Sequence, residues 1–305
     1  MKPYNDYNSY LKSKYGEKVY RIGIDAGYSC PNRDGTKGYG GCLYCNEEGS
    51  RSSYINGSIS VKEQIRTRIA YLEKGKGIKK YIAYFQAFTN THASPAALKN
   101  IYDEVLPFAN IVGISIGTRP DCVDHDKLKL ISSYKDRYEV WIEYGLQSMH
   151  DRTLKLLNRG HTCADFVNAV KLTKEYNIPV CAHVILGLPG ETKEEMVSTA
   201  RALTELKIEG VKIHVLHVLK GSAMEKLYNE GKITIPDEAA YAGLVCDFLE
   251  NLSEDIIIQR LTGQGGRRNH IAPMWALDKA GTIKKIEEML KRRGNTQGAQ
   301  LKTIS

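Results

Sequence analysis

Three cysteines stand close together near the start of the chain, at Cys30, Cys42 and Cys45, with the spacing C-x11-C-x2-C. The stretch "CPNRDGTKGYGGC" between the first two is rich in glycine and carries Asn32, Arg33 and Asp34. Three thiolates on one loop point to a metal. A structural zinc ion takes four protein ligands, usually from two paired knuckles. Here one C-x2-C stands beside a single distant cysteine, and His92, His161 or Cys122 would have to complete the set. A [4Fe–4S] cluster has four irons, so three thiolates leave one iron open to a small molecule. On spacing alone both remain possible. Cys122, Cys163, Cys181 and Cys246 are scattered and read as buried thiols. Seven cysteines, an odd number, argue against a disulfide framework and for a reducing, cytoplasmic compartment.

The loop needs a scaffold, and the rest of the chain predicts one. Strand-like stretches lie at 18–27, 80–88, 110–120, 138–148, 178–190 and 210–221. Helical spacing marks 60–75, 94–107, 161–176 and 192–207. Strands alternating with helices, without hairpin signals, predict parallel βα units, and right-handed crossovers curl them into a partial (βα)6 TIM-like barrel. Residues 1–17 are polar and tyrosine-rich and predict a short helix or lid. Residues 222–305 form a C-terminal α/β extension with a helix at 235–252, a strand at 255–263 and a helix at 276–294; the tail 295–305 is expected to be mobile. Polar residues fall at the carboxyl ends of the predicted barrel strands, where βα barrels place their chemistry. They are Asp25; Gln86, Thr89 and Asn90; Thr118 and Arg119; Glu143 and Gln147; Glu191 beside Gly187; and His217 and Lys220. His183, inside an apolar strand, reads as a core histidine.

Of the 305 residues, 42% are apolar, enough for a sizeable core, and no run of 18 apolar residues predicts a membrane span. No charged-then-apolar leader is visible, so the expectation is a soluble, non-secreted protein. The net charge of +8 permits an anionic partner such as RNA.

The cysteine loop after the first strand of a six-stranded barrel resembles the radical S-adenosylmethionine (SAM) enzymes. Their commonest signature is C-x3-C-x2-C with an aromatic beside the last cysteine. This chain keeps C-x2-C and the aromatic, Tyr44, but has eleven residues in the first gap; longer first gaps also occur in the superfamily, including its tRNA-modifying Elongator-like branch. The resemblance implies that Cys30, Cys42 and Cys45 hold a [4Fe–4S] cluster, and that SAM bound to its open iron is cleaved to methionine and a 5′-deoxyadenosyl radical. It implies a low-potential electron donor such as flavodoxin or ferredoxin. Residue by residue, it implies that Gln86 and Thr89 contact the SAM amino group, that Ser115 and Thr118 serve from the third strand, and that Glu143, with Gln147 beside it, binds the ribose. Arg159 would pair with the SAM carboxylate. Gly187, in "VILGLPGET", and the backbone of Leu216, His217 and Val218 would meet adenine.

Several strings, among them "GYSCPNRDG", "YFQAFTNTHA", "IEYGLQS", "HVILGLPGET" and "HVLKGSAMEKLY", resemble one group within that superfamily, the YtqA/YhcC (MnmL) type associated with the wobble uridine of tRNA. The implied reaction converts 5-carboxymethylaminomethyluridine to 5-aminomethyluridine. Arg260, Arg267 and Arg268, in "QRLTGQGGRRNH", would track RNA phosphates, with Arg119 and Lys220 nearer the barrel mouth. Two other readings compete: a radical SAM oxidase or decarboxylase of a small metabolite or porphyrin, and a zinc-stabilised RNA-binding protein without catalysis.

Overall fold

The computed structural model describes residues 2–49, 51–52, 54–55, 59–263 and 268–301. Its strands are β1 (Val19–Ile24), β2 (Lys80–Phe85), β3 (Ile111–Thr118), β4 (Glu139–Gln147), β5 (Val180–Leu186), β6 (Gly210–Val215), β7 (Val218–Leu219), β8 (Ile257–Arg260) and β9 (His270–Ala272). Its α-helices are α1 (Tyr7–Tyr15), α2 (Val61–Lys76), α3 (Pro95–Asp103), α4 (His125–Ser132), α5 (Asp151–Leu156), α6 (Cys163–Glu175), α7 (Lys193–Glu205), α8 (Ala223–Asn229), α9 (Glu238–Glu250) and α10 (Lys279–Arg293). No helix among the described residues is long and apolar enough to cross a membrane.

β1 to β6 and then β8 lie side by side in one sheet, with every neighbouring pair parallel. The sheet curls: its two edge strands face each other closely enough for the Arg21 guanidinium on β1 to reach the Gln259 side chain on β8. The six expected strands are present, and a seventh joins them. β8, assigned from the sequence to the extension beyond 221, covers the open edge of β6. Its own edge is covered in turn, since Asn5 accepts from the Ile258 amide at 2.7 Å, leaving less unpaired backbone for another chain to join.

Strand alternation separates two faces. Outward residues such as Ile22, Phe85, Ile142, Val184 and Ile213 pack with helix residues such as Ile65, Leu98, Phe166, Leu203 and Val245 in the main core. The inward face is polar: Arg21, Tyr84, Ser115, Glu143, His183, Lys212 and His214 alternate with the apolar set. Helix ends follow the local sequence. Thr162 and Thr192 form capping boxes with Asp165 and Glu195, and Ser94 caps α3 with Pro95 in its first turn.

The helix expected in 1–17 is there, as α1. α1 packs where the strands begin, opposite the cysteine loop. Tyr10, Tyr15 and Trp141 donate to the Glu139 carboxylate at 2.8, 2.7 and 2.6 Å, and Lys14 lies 3.0 Å from it. The tail departs from expectation. Over 295–301 it is fastened, with Gln297 only 2% exposed and donating to Ser253 and Ile256 at 2.6 and 2.8 Å.

Burial acts to raise the pKa of Glu139, but donation from Trp141, Tyr15, Lys14 and Tyr10 overcomes it and holds the carboxyl below its ordinary value of 4.5. A depressed carboxylate stabilises the fold above that ordinary value, and the contribution is lost as pH falls through the folded-state value. Glu139→Gln is therefore expected to lower stability by about 1–3 kcal/mol at neutral pH and to flatten the acid limb below about pH 4.5. Urea unfolding of both proteins across pH 3–7 checks both effects.

Candidate active site

The cysteine loop follows β1 and is pinned at many points despite its glycines. Asn32 donates to the carbonyls of Asn158 and Arg159 at 2.6 and 3.0 Å, and Asn158 returns a bond to the Gly41 carbonyl at 2.8 Å. The Gly41 amide donates to the Asn32 carbonyl, and the Cys45 amide to that of Cys42, both at 2.9 Å. His92 meets Asp34 at 2.9 Å, and Lys37 pairs with Asp121. Gly40 and Gly41 hold φ of 78° and 76°, a left-handed backbone that glycine takes without steric cost. The glycines serve tight turning here, not looseness.

Arg159 reaches this loop from the segment after β4. Its Nη1 lies 3.2 Å from Cys42 Sγ and 3.0 Å from the Tyr44 hydroxyl, while Nη2 donates to the Gly145 carbonyl at 2.6 Å. The thiol of Cys42 is held well below its ordinary range. A hydrogen bond with Cys45 is the largest influence, and the charges of Arg159 and Arg119 reinforce it against the cost of burial. By contrast, burial pushes the thiols of Cys122 and Cys163 up to about 12 and that of Cys246 to about 11. All seven cysteines are unbridged.

The donor set discriminates between the two metals. A tetrahedral zinc ion brings its sulfur ligands about 3.8 Å apart. The three loop sulfurs do not gather within 4.8 Å of one another; the acidic, thiol and imidazole groups that do are Glu143, Cys181 and His183. Cys42 and Cys45 stand within hydrogen-bond reach while the three sulfurs together do not close on one small ion, and with Cys42 favoured as thiolate the set can take up a larger cluster.

Cys30, Cys42 and Cys45 open onto a cavity of about 280 Å3 that runs into the half-barrel. Tyr44, Gln86, Thr89, Thr118 and Arg159 line it near the loop. Glu143, Gln147, Leu216, His217 and Arg260 line it further round. Gln147 sits at a break in the β4–β5 register with φ of 77°, a backbone that costs a non-glycine residue about 1 kcal/mol or more. Phe88, with φ of 57°, lines the same cavity beneath the Arg33 guanidinium, 5.5 Å from its ring centre.

Other expected residues lie elsewhere. Ser115 is fully buried within the barrel. Gly187 packs against Pro236, and Val218 is buried in a small apolar cluster with Leu157, Leu188 and Met224. Lys220 and Arg268 are exposed outside the cavity wall. Arg267 lies outside the described residues. Arg119, expected near phosphates, lines the cavity and is 3% exposed; its guanidinium makes two bonds to Asp121 at 2.9 and 2.8 Å and Nη1 donates to the Arg159 carbonyl at 2.6 Å, so three of its five N–H groups are engaged within the protein and it props up Arg159.

The cavity floor was the least expected part. Glu143 is fully buried and touches three cations or potential cations. Lys212 binds Oε2, His183 Nε2 lies 2.8 Å from the same oxygen, and Arg21 stands 3.7 Å from Oε1. Burial acts to raise its pKa, but Lys212, Arg21 and His183 hold it well below the carboxylate range. Lys212 is brought down to about 7 by burial and by Arg21, and its ammonium sits 4.0 Å from the centre of the Tyr84 ring. His183 is thus satisfied by the Glu143 carboxylate, as a core histidine would be, and is also part of the cavity wall. Arg21, Tyr84, Lys212 and His214 escaped notice in the sequence. The signal was present: in "VKIHV" a lysine and a histidine stand two apart in an apolar strand, which puts both on one face.

The radical SAM superfamily model matches residues 30–203, and the radical SAM C-terminal domain model matches 208–292. YtqA of Bacillus subtilis (strain 168) is 41% identical over 300 residues, covering 97% of this chain and 92% of that protein. YhcC of Escherichia coli (strain K12) is 36% identical over 298 residues, covering 97% and 95%. A tRNA uridine(34) acetyltransferase of Dehalococcoides mccartyi (strain CBDB1) is 31% identical over 140 residues, 45% of this chain and 30% of that protein. Among solved structures, the archaeal Elp3 of Methanocaldococcus infernus with an N-terminal deletion superposes with a TM-score of 0.65 over 92% of this chain and 64% of that one; at 17% identity the likeness concerns the fold alone. With a superfamily match that begins on Cys30 itself and relatives aligned along nearly the whole length, this chain belongs to the radical SAM superfamily, and its cofactors are a [4Fe–4S] cluster and S-adenosylmethionine.

Proposed function

We propose that this radical SAM enzyme acts on the wobble uridine of tRNA, converting 5-carboxymethylaminomethyluridine to 5-aminomethyluridine. The observation that carries the reading is a single cavity joining the three cysteines to a polar barrel interior, which gives an extruded base and its side arm room beside the radical source. The partial similarity to a tRNA uridine(34) acetyltransferase and the net charge of +8 support an RNA substrate.

The bound cofactors supply a 5′-deoxyadenosyl radical that removes one hydrogen atom from the CH2 between amine and carboxylate. A second electron passes to a one-electron acceptor of the ferredoxin or flavodoxin class, leaving an iminium. Water adds to its carbon, the C–N bond breaks with its electron pair going to nitrogen, and glyoxylate leaves the free amine. The protein's part is placement. Arg159, beside Cys42, is the partner for the SAM carboxylate, and Gln86 and Thr89 for its amino group. Glu143 Oε1 accepts no hydrogen bond from a described residue and is free to accept from a ribose hydroxyl. The backbone of Leu216 and His217 borders the adenine side.

Reconstituted protein, SAM, dithionite and tRNA carrying the carboxymethylaminomethyl group should yield 5′-deoxyadenosine together with new 5-aminomethyluridine on nucleoside mass spectrometry. Deoxyadenosine without any nucleoside change would overturn the RNA reading and favour a small metabolite. Cys42→Ala should drop iron well below about four per chain and abolish SAM cleavage, whereas Cys246→Ala should retain both. Glu143→Gln should raise the Kd for SAM about tenfold at unchanged iron content; an unaltered Kd in equilibrium dialysis would remove Glu143 from SAM binding.

A further inference from the structure

Across β5, β6 and β8, His183, Lys212 and Arg260 stand in one register row. His214 lies two residues further along β6 on the same face, and its ring centre is 5.4 Å from that of His183. Arg21, Lys212 and Arg260 bring three cationic side chains to this region. Lys279, at the start of α10, feels the charges of Arg260 and Arg21 and adds a fourth. One carboxylate, Glu143, answers them, and it is already engaged by Lys212 and His183. Arg260 lines the cavity, yet its guanidinium donates to no described residue and makes no ion pair with one. The neighbouring stretch 264–267 reads Gln-Gly-Gly-Arg and contains no acid to supply the missing charge.

The surrounding imidazoles are also unspent. His214 Nε2 and both ring nitrogens of His217 are buried without a hydrogen-bond partner among the described residues. Gly263 lies between these two rings, and a Cβ there would come within 2.8 Å of His217 Nε2 and 3.2 Å of His214 Nδ1. Burial holds His217 at about 4, so it is a neutral donor at physiological pH. A partly buried guanidinium with no acid beside it among the described residues shares this wall with idle imidazole donors, and one anion would satisfy both.

We propose that this wall is a carboxylate subsite, in which Arg260 grips a carboxylate on the substrate and His214 and His217 donate to its free lone pairs. A planar guanidinium suits a carboxylate, which it can meet with two parallel bonds. Register argues against a backbone phosphate: the row through Lys212 lies three residues below the end of β6, about 10 Å into the barrel. The proposal rests on the tRNA reading above, where the carboxymethyl arm supplies this group and its capture orients the adjoining CH2 toward the cysteines.

The test compares anaerobic turnover of tRNA bearing the carboxymethylaminomethyl group with tRNA in which that carboxylate has been converted to the carboxamide. Wild type should show a KM about 100-fold lower for the acid. Arg260→Gln should erase that preference while iron content and SAM binding hold, and Arg260→Lys should keep part of it. A retained preference in Arg260→Gln overturns the proposal. So does loss of SAM binding, which would assign Arg260 to the cofactor, and so does an equal rise in KM for both tRNAs, which would assign it to phosphate. If wild type turns over neither tRNA, the RNA reading fails, and the subsite is tested with N-methylglycine by saturation-transfer NMR. Binding in wild type that disappears in Arg260→Gln supports the subsite; no binding in wild type overturns it.

Discussion

The Glu143 carboxylate is the interaction on which the inner half of this molecule depends. A parallel sheet of this kind usually fills its inner face with branched apolar side chains. Here the inner face holds Arg21, Lys212 and His183, and the one acid among them keeps two cations and an imidazole in register across four strands. A polar interior is the condition for a cavity that can bind polar molecules, so the outer face must carry the stability. It does so through a continuous apolar layer between the strands and helices. Removing one partner from such a buried set leaves an uncompensated charge and is far more damaging than replacing the whole set.

The same division explains how the two ends of the half-barrel differ. At the amino ends α1 packs its tyrosines against Trp141 and donates to Glu139, so that end is filled and fixed. At the carboxyl ends the cysteine loop, Arg159 and the Arg119–Asp121 pair form a frame around open space. Arg119 holds the carbonyl of Arg159, and Arg159 holds Cys42 and the Gly145 carbonyl. The cysteine loop is thereby tied to β4 and to the turn after β3 by two guanidinium groups in series.

Much of this was legible in the residues. Strand-like stretches alternating with helical ones foretold the parallel architecture, and C-x11-C-x2-C marked the loop that opens onto the cavity. The misses have physical reasons. β8 is four residues long, and it belongs to the sheet because β6 leaves an edge to cover, which no local pattern announces. The tail over 295–301 looks featureless, yet Gln297 finds buried carbonyls far away in sequence. The bond from Arg119 to Asp121, two residues away in "TRPDC", went unweighed. The partner of His183, Glu143, lies on another strand and so could not be named. Pairings between strands are the information that a linear reading lacks.

The left-handed backbone of Gln147 shows what such a site asks of its scaffold. Glycine at that position would relax the turn and add about 1 kcal/mol of stability, at the loss of an amide that faces the cavity. Thermal robustness alone would favour glycine at this position, so a glycine there is the single change that would tell backbone strain and cavity chemistry apart.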